Sequence, residues 1–307
     1  MKIAIITAEG LGDGLQMMIA AHHLKKEGHD IIVYNRHLSE FEDCFKGFEF
    51  KYPFNLEDIN SYDSILLEHD NSQKSVQIAD YLKKIPIGKV LFIMNYSAKK
   101  HGSVDSSMYC FDKKKTMLEN IILGTKFMFS IENVTSDNGI TIPSYLKHRK
   151  NRKVIIIHPT ASHFDKTWDK KKFVKLAILL RQKGYKCSFV MTADERPEWL
   201  FLKKLGFEVP LINNLCDLTW IIYEAYAFIG NDSGPAHLAS CLKLPVIVIG
   251  KRLQNLKYWK PDWYKSKIVS PYKFIPNFKF MRLREKIWKK WITPKAVFSK
   301  FDELIKN

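Results

Sequence analysis

The chain has 307 residues, with 49 Lys and Arg against 32 Asp and Glu, a formal charge of +17, and is 46% hydrophobic and 26% charged. That composition excludes a disordered chain, and the length suits two domains or one large one. No apolar run approaches the ~20 residues of a spanning helix; runs such as Val154-Ile155-Ile156-Ile157 are strand-sized. The first residues reach an acid already at Glu9, too early for a signal peptide, so a cytosolic location is expected. Five cysteines, odd in number and without a C-x-x-C pair, fit reduced core thiols better than disulfides or zinc ligands.

Along the chain, short β-branched runs alternate with helical periodicity. Strands are predicted at 2–7, 30–34, 64–68 and 89–94, then at 154–158, 187–191, 228–230 and 245–249. Helices are predicted between them at 15–27, 75–84, 170–183, 218–226 and 237–242. This alternation is the pattern of parallel sheets covered by helices. It restarts after a charged, polar stretch at 144–153, which reads as a linker between two Rossmann-like domains. The boundaries expected are 1–148, 149–292 and a final helical segment, 293–307. In that last helix Thr293 is the predicted N-cap and Pro294 the first helical residue. Val297, Phe298, Phe301, Leu304 and Ile305 share one face, which is expected to pack back across the domain interface.

Three segments have the residues for chemistry. The first, Glu9-Gly10-Leu11-Gly12-Asp13-Gly14-Leu15, follows the first strand. Glycines permit a tight turn and a close approach to a ligand, and the helix start that follows favours anions. A dinucleotide fingerprint is the competitor, but its third glycine is replaced by Leu15. The second strand also ends in Tyr34-Asn35-Arg36, without the ribose-binding acid. Asp13 is either a functional carboxylate or a first-turn acid favoured by the helix dipole.

The second segment, His158-Pro159-Thr160-Ala161-Ser162-His163-Phe164-Asp165-Lys166-Thr167-Trp168, follows the strand that opens the second half. Thr160 and Ser162 are suited to phosphate oxygens and Lys166 to their charge, or the loop is an ordinary turn with a solvated lysine. The third, Gly230-Asn231-Asp232-Ser233-Gly234-Pro235-Ala236-His237-Leu238-Ala239, joins a strand to a helix. The N–H groups of such a helix start hold phosphate, and the same residues read equally as a capping device with Asp232 or Ser233 as N-cap.

In this order the three segments resemble glycosyltransferase family 9, the lipopolysaccharide heptosyltransferases. The D-S-G-P-x-H-L-A string from Asp232 to Ala239 is the most specific element, supported by Gly12-Asp13, by His158, Lys166 and Trp168, and by the closing Ile292-Thr293-Pro294. The resemblance implies a GT-B fold, an α/β architecture of two facing Rossmann-like domains with the active site in the cleft. It implies transfer of a heptose from an ADP-sugar to a lipid A-linked acceptor, with inversion and no obligate metal. Asp13 then matches the general base and Lys166 the diphosphate-binding lysine. Asp232, Ser233, Gly234 and His237 match the donor-binding helix start, with Gly12, Thr160 and Ser162 alongside. The family's glycine-plus-acid at the donor ribose is replaced here by Thr192-Ala193-Asp194-Glu195, leaving Asp194 or Glu195 for the ribose and the base less certain than the diphosphate site. The alternatives are a GT-B protein using another nucleotide sugar or acting as a sugar-nucleotide epimerase, and a basic nucleic-acid-binding protein.

The charge is concentrated at the end. From Lys251 to Asn307 there are 16 basic and 4 acidic residues, a net of +12, with twelve aromatics. Residues 281–292 read as a basic, Trp-bearing amphipathic helix suited to the anionic cytoplasmic face of an inner membrane. The other reading is a solvated surface with Ile287, Trp288 and Trp291 packed on the protein. A nucleic-acid surface is disfavoured, since no recognised motif accompanies the charge and the phosphate-type loops lie in the less basic part of the chain.

Overall fold

A computed structural model describes residues 1–271 and 287–306. They form two compact units, Met1–Thr141 and Ile142–Asn307. The first contains β1 (Lys2–Ile6), α1 (Leu11–Lys26), β2 (Asp30–Tyr34), β3 (Glu49–Lys51), β4 (Ser64–His69), α2 (Gln73–Leu82), β5 (Gly88–Ile93), α3 (Ala98–His101), β6 (Met108–Cys110) and α4 (Met117–Phe129). The second contains β7 (Asn151–His158), α5 (Lys170–Gln182), β8 (Lys186–Phe189), α6 (Phe201–Lys204), α7 (Leu215–Glu224), β9 (Ala225–Asn231), α8 (Gly234–Cys241), β10 (Val246–Ile249), α9 (Leu253–Tyr258), β11 (Ser266–Val269), α10 (Trp288–Trp291) and α11 (Pro294–Lys306). Among the described residues no helix is long and apolar enough to cross a membrane, and none of the five cysteines forms a disulfide.

Every strand pairing in both sheets is parallel. The strand orders are β3-β2-β1-β4-β5-β6 and β11-β10-β9-β7-β8. Parallel strands are apolar on both faces because helices cover both, and Ile3 to Ile6 and Ile155 to Ile157 are buried without alternation. Parallel pairing also puts the carboxyl ends of all strands at one edge of each sheet. The chain reverses its direction of travel across the sheet between β1 and β4 in the first unit, and between β7 and β9 in the second. Those reversals open the crevices in which such sheets bind ligands.

Strands missed from the sequence, β3, β6 and β11, are only three or four residues long. The longer omission is α4, which packs on α1. Its start is a capping box, in which Thr116 Oγ1 accepts from the Glu119 N–H at 3.2 Å and the Glu119 carboxylate accepts from the Thr116 N–H at 2.7 Å. Strand β7 begins at Asn151, so the charged stretch at 144–153 runs partly into the sheet.

The final helix departs from expectation in where it docks. Its buried stripe, Val297, Phe301 and Leu304, joins the core of its own unit with Phe173, Leu176, Ile249 and Val269. Phe301 packs edge-on to Tyr185 with ring centroids 5.4 Å apart. An amphipathic face this narrow buries against one partner surface, and α5 with the β10–β11 edge supplies it. Packing back across a domain interface is therefore corrected to packing within the second unit. The cap is as predicted, with Thr293 Oγ1 accepting from the Ala296 N–H at 3.1 Å. Phe301→Ala should cost about 3–5 kcal/mol, read as a fall in the urea midpoint, while half-buried Phe298→Ala should cost clearly less.

Candidate active site

In the first unit the loop Thr7-Ala8-Glu9-Gly10 leaves β1 at the reversal point. Gly10 is the N-cap of α1, so Gly12, Asp13 and Gly14 lie inside the first turn of the helix and not in a turn preceding it. Two constraints explain the glycines. A Cβ at Gly14 would sit 2.9 Å from the Asn35 side chain, and one at Gly10 would overlap the Asp13 carboxylate. That carboxylate is thus folded back over the helix start. Asn35, at the end of β2 and buried, ties the loop: its Nδ2 donates to Thr7 Oγ1 at 2.7 Å, to the Ala8 carbonyl at 3.0 Å and to the Gly10 carbonyl at 3.3 Å.

A second carboxyl group stands beside the first. Glu68 is 1% exposed, and its Oε2 accepts from the Ala8 N–H at 2.8 Å. Burial, and next the Asp13 charge, hold its carboxyl well above the usual carboxylate range. Sequence reading left Glu68 inside a strand and did not weigh it, although an acid within Ile-Leu-Leu-Glu-His is itself a signal.

In the second unit the loop after β7 and the start of α8 meet at the corresponding reversal. Buried Asn231 joins them. Its Oδ1 accepts from the Trp168 N–H at 2.9 Å, and its Nδ2 donates to the Pro159 and Thr160 carbonyls at 2.9 and 3.2 Å. A Cβ at Gly230 would meet the His158 carbonyl oxygen at 3.0 Å and the Phe228 ring at 2.8 Å, which accounts for glycine there.

Around Asn231 runs a chain of polar contacts. His158 Nδ1 lies 3.2 Å from Ser233 Oγ and its Nε2 lies 3.3 Å from Thr160 Oγ1. Thr160 Oγ1 donates to Glu195 Oε2 at 3.0 Å, and the same carboxylate oxygen accepts from the Thr192 N–H at 3.1 Å and the Thr192 hydroxyl at 3.0 Å. A carboxylate only accepts, so Thr160 must accept from Nε2–H, and Nδ1 is left to accept from Ser233. Burial pushes the His158 imidazole down to about 4, keeping it in the neutral form this chain requires.

Ser233 occupies the N-cap position of α8, but its hydroxyl makes no capping bond. The single hydroxyl proton has two acceptors at 3.2 Å, His158 Nδ1 and the Asn231 carbonyl, which share it, so Ser233 is the N-cap by position without a side-chain cap. Burial raises the half-buried Asp232 carboxyl, and the Lys166 charge opposes that shift. Lys166 itself is exposed at the end of a short 3-10 turn, Phe164–Lys166. His237 is buried one turn into α8, and burial brings it to about 4. Of the two acids after β8, Glu195 belongs to the cluster, whereas Asp194 is exposed and outside it, as is Ser162.

The tail braces this loop. Trp288 is 2% exposed and donates from Nε1 to the Asp165 carbonyl at 3.1 Å. Lys289 Nζ donates to the Phe164 carbonyl at 2.9 Å, the Lys251 ammonium pairs with the Asp165 carboxylate, and Trp168 Nε1 donates to the Ile292 carbonyl at 3.3 Å. Residues 281–286 of the expected amphipathic helix lie outside the described residues. Of the remainder, Trp288 and Ile292 pack on the protein, and Trp291 is 42% exposed.

Comparison with known proteins supports the resemblance stated above. Residues 128–261 match the model of glycosyltransferase family 9 (heptosyltransferase). The chain is 26% identical over 285 residues, 81% of its length and 83% of the relative's, to lipopolysaccharide heptosyltransferase 1 of Campylobacter coli. Among solved structures, E. coli ADP-heptose LPS heptosyltransferase II is similar with a TM-score of 0.69 at 16% identity, covering 99% of this chain and 98% of that one. E. coli heptosyltransferase WaaC with ADP-2-deoxy-2-fluoro heptose gives 0.69 at 14%, covering 99% of each. The match to the family model covers under half of the chain, the relative's likeness runs over most of it, and the GT-B fold class holds.

The two buried imidazoles provide a test of the second unit. Their folded values lie near 4 against an ordinary 6.5, so the stability they confer is present above 6.5 and lost as pH falls towards 4. Imidazole NMR should show two histidines that stay neutral until the pH approaches 4, and thermal midpoints should decline across that window.

Proposed function

We propose that this chain, a glycosyltransferase of family 9, transfers a heptosyl group from ADP-heptose to a lipopolysaccharide-core acceptor with inversion at the anomeric carbon. The observation that supports it most is the polar chain Ser233–His158–Thr160–Glu195 at the reversal point of the second sheet, within the segment that matches the family. It links the start of α8, suited to a diphosphate, with an acid suited to ribose hydroxyls.

In this reading Asp13 accepts the proton of the acceptor hydroxyl as that oxygen bonds to the anomeric carbon. The bond from that carbon to the diphosphate breaks, and its electron pair leaves with the phosphate oxygen. Lys166 and the N–H groups at Ser233 and Gly234 are assigned to that growing charge, a donor set whose chemistry suits it without a metal ion. Asp232, with its carboxyl raised by burial, is assigned to sugar hydroxyls. Glu195, pinned by Thr160 and Thr192, is assigned to the ribose in preference to Asp194. His237, neutral and buried beneath the helix start, shapes the phosphate site from below. Gly12 keeps the first turn of α1 free of a side chain beside Asp13.

We further read the basic C-terminal segment as the side that meets an anionic membrane or phosphorylated acceptor. The net +12 supports this, as does exposed Trp291 beside Lys290.

Asp13→Ala should lower turnover by on the order of 100- to 10,000-fold with ADP affinity nearly unchanged, whereas Lys166→Ala should weaken ADP binding by calorimetry. Near-normal turnover in the first, or unaltered ADP affinity in the second, removes the assigned role. Co-sedimentation with vesicles should rise with anionic lipid content and fall in Trp291→Ala; indifference to lipid charge contradicts the membrane reading.

A further inference from the structure

Glu68 has a cost that its structural role does not explain. Its Oε2 anchors the Ala8 N–H, but its Oε1 is buried and has no hydrogen-bond partner among the described residues. Nor does Glu68 form an ion pair among them. The charged groups acting on it are both acids, Asp13 from α1 and Asp70 from just past β4. Among the described residues its neighbours in the sheet supply no cation: β1 ends in Ile6, and on β5 it is registered against Phe92. A glutamine would hold the Ala8 N–H equally well without the penalty of a buried acid. Acids kept at such a cost cluster where chemistry is done, and Glu68 stands in β4 at the β1–β4 reversal, bonded to the loop that leads to Asp13.

We propose that Glu68 is a positioning residue for Asp13: held as the neutral acid, it ties down the Ala8–Gly10 loop, and losing its proton releases that loop. The inference rests on the reading of Asp13 as the base. In the protonated state the pair bears a single negative charge, on Asp13. Ionisation of Glu68 adds a second one in a buried space where, among the described residues, the Ala8 N–H is the one donor to Glu68. The Ala8–Gly10 turn that fixes the first helical turn then loosens, and the Asp13 carboxylate loses its place. Activity thus has an alkaline limit set by Glu68.

The sign follows from the direction of the shift. The folded state favours protonated Glu68, so the stability it contributes is full below the ordinary value of 4.5 and is lost as pH rises through the higher folded value. Glu68→Gln should therefore melt with wild type below pH 4.5 and above it as the pH increases. Asp13→Asn should shrink that gap, because one of the two repelling charges is gone. For turnover, Glu68→Ala should cost roughly 10- to 100-fold in kcat through misplacement of the base, with ADP affinity unchanged. Glu68→Gln should recover most of that loss and lack the alkaline decline of the wild type.

A Gln variant as slow as the Ala variant, or one with the wild-type alkaline limb, overturns the proposal. A melting gap that does not depend on pH overturns it as well. The melting comparison uses no turnover, so it stands or falls separately from the assignment of Asp13 as base.

Discussion

Each unit depends on one buried asparagine at the carboxyl end of a strand. Asn35 holds the loop after β1 from β2, and Asn231 holds the loop after β7 from β9. An amide has two donors and an acceptor with two lone pairs, enough to bind several backbone groups of a neighbouring loop at once. Loops at strand ends lack a ladder of their own, and their backbone groups must find partners elsewhere. Where the two asparagines supply them, the loop takes one conformation, and the helix that follows starts at a defined point. Asp13 inherits its place from the first of these arrangements, and the His158–Ser233 contact inherits its place from the second.

Around these anchors the titratable groups are kept neutral by burial. His158 and His237 are both low and Glu68 is high, and in each case desolvation is the leading cause. Neutrality has a geometric use at His158. Only a neutral imidazole both accepts and donates, and that makes it a one-way link from Ser233 to Thr160 and on to Glu195. A protonated ring would have two donors, and Ser233 would give its proton to the Asn231 carbonyl alone. The cation Lys166 stays exposed, and its charge opposes the rise that burial gives Asp232.

The alternation of apolar runs and helical patterns was enough to place the parallel sheets, since buried parallel strands read as unbroken β-branched stretches. The strand-end motifs were legible for a related reason: Gly12, Asp13, Ser233 and Gly234 announce a helix start by composition. The errors have physical causes. Gly10 to Gly14 read as a turn because glycine is a poor helix former, yet packing against Asn35 decides the matter. The α4 capping box, Thr116 with Glu119, was open to reading and passed over. Glu68 and the two asparagines were hidden because their importance lies in what they touch across the sheet, and local sequence does not record register. For the last helix, the pattern revealed an apolar face but not which unit would cover it. The interfacial reading of Trp288 failed likewise, because a basic, aromatic stretch looks the same whether its indole meets lipid or a carbonyl such as that of Asp165.

That indole contact bears on where the loop bearing Lys166 gets its shape. Trp288, Lys289 and Ile292 are fastened to it through hydrogen bonds that span 123 to 125 positions of sequence. Two of the three end on backbone carbonyls of the loop and one starts from its Trp168 indole, so the tail constrains the path of the loop and leaves the Lys166 side chain to solvent. A deletion that removed this anchor would be felt at once by the loop.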